Sequence, residues 1–452
     1  MSIERVLIAN RGEIAVRVVR ACRALGIESV VAVSKADQDS LAARLGDRAV
    51  TIGPARAVQS YLDQNAILAA ALGVKADAIH PGYGFLAENP GFVKACEENQ
   101  ITFVGPRSAS VAAMGNKLEA REIAKSYGVP VVPGSPRIAS YEDAADIADQ
   151  IGYPVLFKAA AGGGGRGIRI VSEPSELKVA FQSAAAEAEA AFGDNTLYME
   201  RYIVSARHIE IQVFGDRYNN VIHLGERDCS MQRRYQKIIE EAPAAMVPQQ
   251  TRQAIRDAAV ALVKGISYEN AGTVEFIYDE KRDEFYFLEM NTRIQVEHPV
   301  TEAITGVDLV QHQLKVASGE ALGYDQSEIT FSGHAIECRI NAESPRNSFH
   351  PSPGKITLWN PPEIEGVRLD THCYQGYVVP PFYDSLLAKL IVHGKDRSDA
   401  IERAKEALSK FNIEGIETNV EFLSFLVNEP DFASGEYNTR WVEANIGRFI
   451  SE

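Results

Sequence analysis

The chain has 452 residues, of which 46% are hydrophobic and 24% are charged, and its formal net charge at pH 7 is −15. This length predicts about two to four domains of ordinary globular composition. The negative charge argues against nucleic acid or an anionic membrane surface as the main partner.

The sequence contains no apolar run long enough for a transmembrane helix, and Met1 to Arg5 lack the pattern of a signal peptide. Its five cysteines are scattered and form no Cys-x-x-Cys pair, which argues against a zinc site. We therefore expect reduced thiols in a cytoplasmic enzyme.

The first predicted elements form a strand–helix–strand unit. Val6–Ala9 and Ser29–Val33 are apolar runs typical of strands, and between them apolar residues recur at helical spacing as far as Gly26. This order favours a parallel, doubly wound, Rossmann-like sheet. The turn Asn10–Glu13 lacks the Gly-x-Gly-x-x-Gly pattern, so the sequence predicts no NAD site.

A further strand is predicted over Ala76–His80, and it leads into the loop Pro81–Asn89. Glycines on both sides of Tyr83 indicate a tight loop at the carboxyl end of this strand. Because doubly wound sheets bind ligands at that edge, the loop is a candidate ligand contact.

The segment 140–205 is predicted to run helix, strand, glycine loop, strand, helix and strand. Its first strand ends at Lys158, the loop contains Gly162–Gly165, and the second strand follows at Ile168–Val171. Consecutive glycines expose backbone N–H groups that can bind phosphates. The alternative is that these glycines form a flexible surface turn. No Gly-Lys-Ser/Thr follows, so this is not a P-loop. We expect a lid over a triphosphate, with Lys158 and Lys117 adding positive charge.

Two glutamates interrupt otherwise apolar strands. Glu275 lies within Gly272–Tyr278, and Glu289 follows Glu284–Leu288, with a short polar turn between the two strands that predicts a hairpin. Either glutamate alone is more often a structural ion-pair partner. Together, and with Asn291 as a further oxygen ligand, they predict a site for nucleotide-bound magnesium or manganese.

The stretch Leu288–His298 alternates polar and apolar residues. If the backbone is extended, its polar side chains project from one face: Glu289, Asn291, Arg293, Gln295 and Glu297. Phe285 and Phe287 share the parity of Glu289, so this face is apolar until the acids begin. The alternative is an ordinary strand with one solvated face. A carboxylate that follows buried aromatic residues needs a partner, and a divalent cation is a natural one.

Towards the carboxyl end, one helix is predicted from about Glu302 to Ser318, and residues 332–447 form a further unit. Its predicted strands are Ala335–Ile340, Lys355–Trp359 and Leu386–Val392, and its predicted helices are Ser398–Phe411 and Val420–Val427.

Six segments of the chain match one family together. They are Asn10–Ala15, His80–Leu86, Met114–Lys117, Lys158 with Gly162–Gly167, Glu226–Arg234 and Glu289–Thr301. In these segments the chain resembles biotin carboxylase, the ATP-grasp component of biotin-dependent carboxylases, and the resemblance covers essentially the whole sequence. It implies an N-terminal doubly wound domain over 1–112, an ATP-grasp domain over 113–331 with a lid over about 131–204, and a C-terminal β-rich domain over 332–447.

The resemblance implies ATP-driven carboxylation of biotin N1′ by bicarbonate through carboxyphosphate, giving ADP and phosphate. The positions that would bind ATP are Lys117, Lys158, Gly164, Gly165, Glu200, Arg201, Tyr202, Ile203, His208, Gln232, Tyr235, Glu275 and Glu289. Those that would hold magnesium or manganese are Glu275, Glu289 and Asn291. Those that would bind bicarbonate are Lys237, Arg293, Gln295 and the Val296 backbone, with Glu297 as general base. Arg339 would stabilise the biotin enolate, and Tyr83 would contact biotin.

The chemistry agrees with the residue types. Bicarbonate must lose a proton as it attacks the γ-phosphoryl group, so a carboxylate beside an arginine is suitable. Carboxyphosphate must be shielded from water, which gives a glycine-loop lid a purpose. The chain departs from the family pattern at Tyr235, where the family usually has histidine; a tyrosine can hydrogen-bond a ribose hydroxyl but does not titrate near neutrality. The segments Ser34–Asp39 and Leu45–Asp47 also differ from the usual family sequence, but neither touches the proposed chemistry.

The sequence contains no Met-Lys-Met biotinylation motif. We therefore expect biotin to be carried by a separate biotin carboxyl carrier protein, with the carboxyltransferase on another chain, and the family implies a homodimer. Two alternatives are another ATP-grasp ligase, which leaves the 293–297 segment and Arg339 unexplained, and a nucleotide-binding regulatory subunit without catalysis, which conflicts with the joint presence of the catalytic groups.

Overall fold

A parallel sheet forms the first part of the fold. The computed structural model describes residues 3–135, 137–138, 140–159 and 168–451. The first elements are β1 (Arg5–Ile8), α1 (Gly12–Leu25), β2 (Glu28–Ser34), α2 (Leu41–Leu45), β3 (Arg48–Gly53), α3 (Gln64–Val74), β4 (Ala78–His80), α4 (Pro90–Glu98) and β5 (Thr102–Phe103). The strand order is β3-β2-β1-β4-β5, and all neighbours are parallel.

Apolar residues of alternating parity face opposite sides of this sheet, and helices cover both sides. Leu7 and Val30 pack with α3 and α4, whereas Val6 and Val31 pack with α1. Helix α1 ends at Gly26, whose φ of 70° is the left-handed conformation that glycine adopts readily. The predicted doubly wound unit is confirmed.

A small antiparallel sheet follows. The elements in this part of the chain are α5 (Ser108–Gly115), α6 (Lys117–Ser126), α7 (Tyr141–Ile151), β6 (Val155–Ala159), β7 (Arg169–Val171), α8 (Leu177–Phe192) and β8 (Leu197–Arg201). The strand order is β7-β6-β8, and α7 and α8 pack on it through one apolar cluster. The predicted order of the helices and strands in 140–205 is confirmed. The predicted glycine loop Gly162–Gly167, with Gly164 and Gly165, lies outside the described residues.

The next elements build most of a large antiparallel sheet. They are β9 (Ala206–Gly215), β10 (Val221–Arg233), β11 (Gln236–Ala242), α9 (Gln249–Gly265), β12 (Asn270–Asp279), β13 (Glu284–Asn291), α10 (His298–Thr305) and α11 (Leu309–Ser318). The single helix predicted from Glu302 to Ser318 is wrong, because two helices meet there. Gly306 ends α10 with a φ of 71°, and the Asp308 side chain caps α11 by accepting from the Gln311 N–H.

The remaining elements are β14 (His334–Asn341), β15 (Glu343–Ser344), β16 (His350–Pro351), β17 (Gly354–Lys355), β18 (Leu358–Asn360), β19 (Val367–Thr371), β20 (Val378–Val379), β21 (Leu386–Gly394), α12 (Arg397–Lys410), β22 (Asn412–Glu414), α13 (Val420–Asn428), α14 (Pro430–Ser434) and α15 (Trp441–Ser451). The large sheet has the order β13-β12-β9-β10-β11-β14-β21-β19. Strands β11 and β14 are therefore hydrogen-bonded across the predicted boundary at 331/332, and the sheet is continuous there.

None of the helices in the described part of the chain is both long and apolar enough to cross a membrane.

Candidate active site

The hairpin of β12 and β13 contains a bulge at Leu288. Glu275 stands opposite Glu289, but the next residue of β12, Phe276, stands opposite Phe287. Residues directly opposite each other in an antiparallel pair share a face, and consecutive residues of β12 face opposite sides. Phe287 and Glu289 therefore face opposite sides of the sheet, so the single shared face expected from their parity is wrong. Phe287 packs in the core against Phe276, while Glu289 reaches the site.

The backbone does not stay extended as far as His298, because β13 ends at Asn291 and α10 begins at His298. The intervening residues, here called the 292–297 loop, are held by Glu88. Its Oε1 accepts from the Thr292 N–H at 3.0 Å, and its Oε2 accepts from Arg293 Nε at 2.7 Å. A carboxylate from another part of the chain thus stabilises the turn that ends the strand.

The polar side chains of this segment converge in spite of the turn. Arg293 donates to Asn291 Oδ1 at 3.0 Å and to Gln295 Oε1 at 2.9 Å. Gln295 and Asn291 both donate to Glu275 Oε1, at 3.3 and 2.9 Å. The loop therefore brings together the predicted metal-binding and bicarbonate-binding residues by hydrogen bonds between side chains.

Lys237 lies at the centre of a buried cluster of acids. Its Nζ is 2.5 Å from Glu297 Oε1, 2.6 Å from Glu210 Oε2 and 3.1 Å from Glu275 Oε1. Arg339 contacts the other oxygen of Glu297 at 2.9 Å. Cations thus contact both oxygens of Glu297, and one lysine links it to Glu275.

These contacts fix the charge states of the cluster. Burial alone would raise the pKa of Glu297, but Lys237, Arg339 and Arg227 lower it well below its usual value. Burial likewise disfavours the charged Lys237, yet the neighbouring carboxylates raise its pKa well above the usual value. Glu210 differs, because burial raises its pKa, and Arg227 and Lys237 only partly offset the effect. Glu297 is therefore ionised at neutral pH.

The predicted metal-binding oxygens fit a hard divalent cation. Glu275 and Glu289 are direct cross-strand neighbours, and Asn291 contacts Glu275. A basic side chain lies against each carboxylate, with Lys117 Nζ 3.2 Å from Glu289 and His208 Nε2 2.9 Å from Glu275. Carboxylate and amide oxygens of this kind are the ligands that magnesium and manganese prefer. The donor set therefore suits the predicted ion.

The predicted nucleotide-binding residues line the junction between the small sheet and the large one. Lys158 and Arg121 each lie 2.5 Å from an oxygen of Glu200. Arg201 donates to the Tyr286 hydroxyl at 2.5 Å. The Tyr202 N–H bonds to the Pro154 carbonyl, and Ile203 is buried beside Val132 and Tyr286. Cations engage both oxygens of the Glu200 side chain, and the Glu200 backbone pairs with Leu156 of β6.

Two further predicted positions lie at the turn between β10 and β11. Gln232 is buried and donates to the Cys229 carbonyl at 3.3 Å. Tyr235 has a φ of 64° and is 62% exposed. The ring of Tyr235 is therefore accessible to a ligand entering beside β11.

The two predicted biotin contacts lie in different parts of the chain. Arg339 on β14 donates to Glu240 Oε1 at 2.6 Å as well as to Glu297. The Tyr83 hydroxyl, in the loop after β4, donates to Glu13 Oε1. Their side chains are each fixed by a buried carboxylate, and the structure places no hydrogen bond between the two.

Sequence reasoning missed several residues of this site. They are Glu13, Glu88, Glu210, Arg227, Glu240 and Lys389. Glu210 and Arg227 are fully buried and 2.5 Å apart on adjacent strands. A charged residue inside an apolar strand was the signal that singled out Glu275, and it applies equally to Glu210 and Lys389.

Comparison with known proteins gives a consistent result along the chain. Residues 2–111 match the family "Biotin carboxylase, N-terminal domain", residues 116–324 match "Carbamoyl-phosphate synthase L chain, ATP binding domain", and residues 337–444 match "Biotin carboxylase C-terminal domain". The chain is 53% identical over 442 residues to Biotin carboxylase 1 of Bacillus subtilis, covering 98% of each chain.

Solved structures agree with this relative. A biotin carboxylase–beta-gamma-ATP complex from Campylobacter jejuni is 48% identical, with a TM-score of 0.94 over 98% of this chain and 99% of that one. The biotin carboxylase domain dimer of Hydrogenobacter thermophilus 2-oxoglutarate carboxylase, in complex with MgADP, ADP and bicarbonate, is also 48% identical, with a TM-score of 0.93 over 98% of each chain.

Proposed function

The chain belongs to the biotin carboxylase family, and on that premise we propose how its own residues divide the work of the family's reaction. That reaction is the ATP- and bicarbonate-dependent carboxylation of biotin, the first half-reaction of biotin-dependent carboxylases. The observation that carries the proposal is the position of Glu297, which lies between Lys237 and Arg339 and is joined through Lys237 to Glu275.

We assign ATP to the cleft between the small and large sheets. Lys117, Lys158 and His208 would contact the phosphates or ribose, and the backbone of 200–203 would hold adenine. Gly164 and Gly165 would cover the phosphates, with Gln232 and Tyr235 near the ribose. The support is the arrangement of cations: Lys158 lies against Glu200, and Lys117 lies against Glu289, so both amines are positioned by acids before any phosphate arrives.

Glu275, Glu289 and Asn291 would hold magnesium or manganese. When bound, the ion neutralises phosphate oxygens of the nucleotide and so favours attack on the γ-phosphoryl group. Lys117 and Lys237, which contact these carboxylates, would then turn towards the anionic substrates.

We place bicarbonate against Arg293, Gln295 and the Val296 N–H, with Lys237 beside it. As its oxygen attacks the γ-phosphorus, the bond from phosphorus to the ADP oxygen breaks, and the bicarbonate proton passes to Glu297. The products are ADP and carboxyphosphate. While Lys237 and Arg339 contact Glu297, its pKa is depressed. Substrate oxygens that attract those cations would release Glu297 and make it a stronger base.

In the second step carboxyphosphate breaks down to carbon dioxide and phosphate, and the phosphate removes the proton from biotin N1′. Electrons move onto the ureido oxygen, where the Arg339 guanidinium would stabilise the developing negative charge. Biotin N1′ then attacks carbon dioxide to give carboxybiotin. Tyr83 would contact biotin from the loop after β4.

Similar solved proteins form parts of larger carboxylases: one is a domain of 2-oxoglutarate carboxylase, and another is the biotin carboxylase subunit of pyruvate carboxylase. We therefore propose that biotin arrives on a separate biotin carboxyl carrier protein, that a carboxyltransferase on another chain uses the product, and that the chain works as a cytoplasmic homodimer. The three-part division at about residues 112 and 331 remains a prediction of the same kind.

The test is ADP release from ATP in the presence of bicarbonate, measured with and without free biotin. We expect release that requires bicarbonate and increases when biotin is added. If biotin leaves the rate unchanged, the proposed roles of Arg339 and Tyr83 fail. If an amine or carboxylate substrate replaces bicarbonate, the chain acts as another kind of ATP-grasp ligase.

A further inference from the structure

Lys389 is a buried lysine that contacts the 292–297 loop from the C-terminal part of the sheet. Its side chain on β21 is 0% exposed, and its Nζ donates to the Val296 carbonyl at 2.8 Å. Glu13 Oε1 lies 3.3 Å from the amine, and Asp370 Oδ2 lies 4.0 Å from it. Removing a charge from water is costly unless it is paired and hydrogen-bonded, so these partners confine the amine to one position.

His298 holds the peptide group that precedes Val296. Its Nδ1 lies 2.8 Å from the Gln295 carbonyl oxygen, and its backbone N–H donates to the same oxygen at 3.3 Å. Burial lowers the pKa of His298 well below the usual value, and Lys389, Arg17 and Arg368 lower it further. The ring is therefore neutral, and since a carbonyl only accepts, Nδ1 carries the proton.

These two contacts fix the directions of the groups on either side of Val296. In a trans peptide the N–H points away from the carbonyl oxygen. Holding the Gln295 carbonyl on one side thus directs the Val296 N–H to the other side, away from His298. Holding the Val296 carbonyl with Lys389 fixes the next peptide plane, which carries Glu297.

Glu13 extends the arrangement to the first part of the chain. The oxygen that faces Lys389 also accepts the hydrogen bond from the Tyr83 hydroxyl. Glu13 lies on α1, Tyr83 lies in the loop after β4, and Lys389 lies on β21. Three separate parts of the chain therefore meet behind the 292–297 loop.

We propose that Lys389 is a positioning residue for bicarbonate: by holding the Val296 carbonyl it fixes the peptide plane between Val296 and Glu297 and so directs Glu297 towards the anion, next to the Val296 N–H that His298 directs, while Glu13 holds the lysine and connects it to Tyr83. The proposal deepens the proposed function and rests on the 292–297 loop being the bicarbonate site. Lys389 itself touches no substrate and acts through the loop.

The test is Lys389→Met, which keeps a long apolar stem and removes the amine. In bicarbonate-dependent ADP release we expect the KM for bicarbonate to increase about tenfold, the usual consequence of losing one hydrogen bond from a charged donor. The KM for ATP should stay within about twofold, because the nucleotide contacts lie elsewhere. A general structural defect would change the KM values for both bicarbonate and ATP, or would lower kcat alone.

Asp370→Asn is the matched control. Asp370 stands directly opposite Lys389 in the sheet and lies near its amine, yet it bonds to Arg368 and not to the loop. The variant disturbs the same buried charge cluster without removing the contact to Val296. We expect a lower unfolding temperature and a bicarbonate KM within about twofold of the wild type. Equal increases in both variants would overturn the proposal.

Glu13→Gln provides a second variant if Lys389→Met does not fold. It keeps the size of the side chain but replaces the carboxyl group beside the amine with an amide. We expect the bicarbonate KM to increase about threefold with little change for ATP. An unchanged KM would contradict the role of Glu13 and Lys389.

The wild-type assay separates this inference from the proposed function. If the unmodified chain shows no bicarbonate-dependent ADP release, the proposed function fails. If the wild type is active and Lys389→Met binds bicarbonate as well as the wild type does, only the positioning role fails.

Discussion

Lys237 Nζ lies 2.5 Å from Glu297 Oε1 and 3.1 Å from Glu275 Oε1, so one largely buried amine joins the proposed general base to a proposed metal ligand. The two acids would repel each other in the absence of this cation, because both are buried. Binding of the metal to Glu275 and of bicarbonate beside Glu297 would both alter the environment of Lys237. The proposed metal and bicarbonate sites would thus be coupled through the Lys237 side chain.

Glu297→Gln should retain ATP binding and lose most turnover. Glutamine has nearly the same shape, and its single oxygen can still accept from either Lys237 or Arg339, but it cannot take the bicarbonate proton. We expect a loss of at least about a hundredfold in kcat for ADP release, with nucleotide affinity by calorimetry changed less than about threefold.

Glu226→Gln is a suitable control for that variant. Glu226 is also buried on the large sheet, but its ion pairs are with Arg252 and Arg256 of α9. Its substitution should lower stability and leave kcat close to the wild-type value. Undiminished turnover in Glu297→Gln would remove Glu297 as the base.

Glu289→Gln should weaken the dependence on magnesium. The substitution removes one anionic ligand and leaves Lys117 without its ion pair. A titration of ADP release against magnesium should shift to about tenfold higher concentration. Glu406→Gln, an exposed position on α12, should leave the curve in place. A superimposable titration for Glu289→Gln would exclude it as a ligand.

Arg339→Met should uncouple ATP hydrolysis from biotin. Phosphoryl transfer to bicarbonate does not require the ureido oxygen, so biotin-independent ADP release should persist in part. Stimulation by biotin should fall at least about tenfold, because the developing charge loses its cation. Arg346→Met, on an exposed ion pair with Glu421, should keep the stimulation. Equal losses of ADP release with and without biotin would mean that Arg339 acts only through its contact with Glu297 and not on biotin.

The hairpin that carries Glu275 and Glu289 was predictable because acids inside apolar strands are a strong local signal. The turn after Asn291 was not, because Glu88, which holds Thr292, is 204 residues away in the sequence. The bulge at Leu288 likewise depends on the register with β12, which strand periodicity does not contain. Contacts between distant segments thus decided the geometry.

The division of the helix predicted after Glu302 could have been found in the sequence. Gly306 followed by Asp308 is a pattern of a helix end and a new cap, and the apolar periodicity on both sides obscured it. Lys389 had a signal too, since it is a lysine within an apolar strand. Its partner Val296 is 93 residues earlier, so its role required the fold.

The ion pairs of Glu241 join the large sheet to the C-terminal helices. Glu241 on β11 is 2.7 Å from His334 Nε2 and 2.7 Å from Arg397 Nε, and it accepts from the Tyr437 hydroxyl. Burial raises the pKa of Glu241, but hydrogen bonds and charges from His334 and Arg397 outweigh this effect and lower it far below the usual value. The Glu241 carboxylate therefore stabilises the fold in its ionised form.

Glu241→Gln should lower the free energy of unfolding by about 3 kcal/mol at pH 7, because it leaves the largely buried Arg397 guanidinium without its anionic partner. Since the folded pKa is depressed, the stabilising contribution is complete above the unfolded pKa of about 4.3 and declines as the pH falls below it. The difference in unfolding free energy between the wild type and the variant should therefore be smaller at pH 3.5 than at pH 7.

Both tryptophans, Trp359 and Trp441, pack in or against the apolar cluster formed by β14, β21 and the C-terminal helices. Urea unfolding followed by tryptophan fluorescence therefore reports on this region. Glu421→Gln, in an exposed pair, should change stability by less than about 0.5 kcal/mol at either pH. A difference that stays constant between the two pH values would mean that the charge of Glu241 does not stabilise the fold.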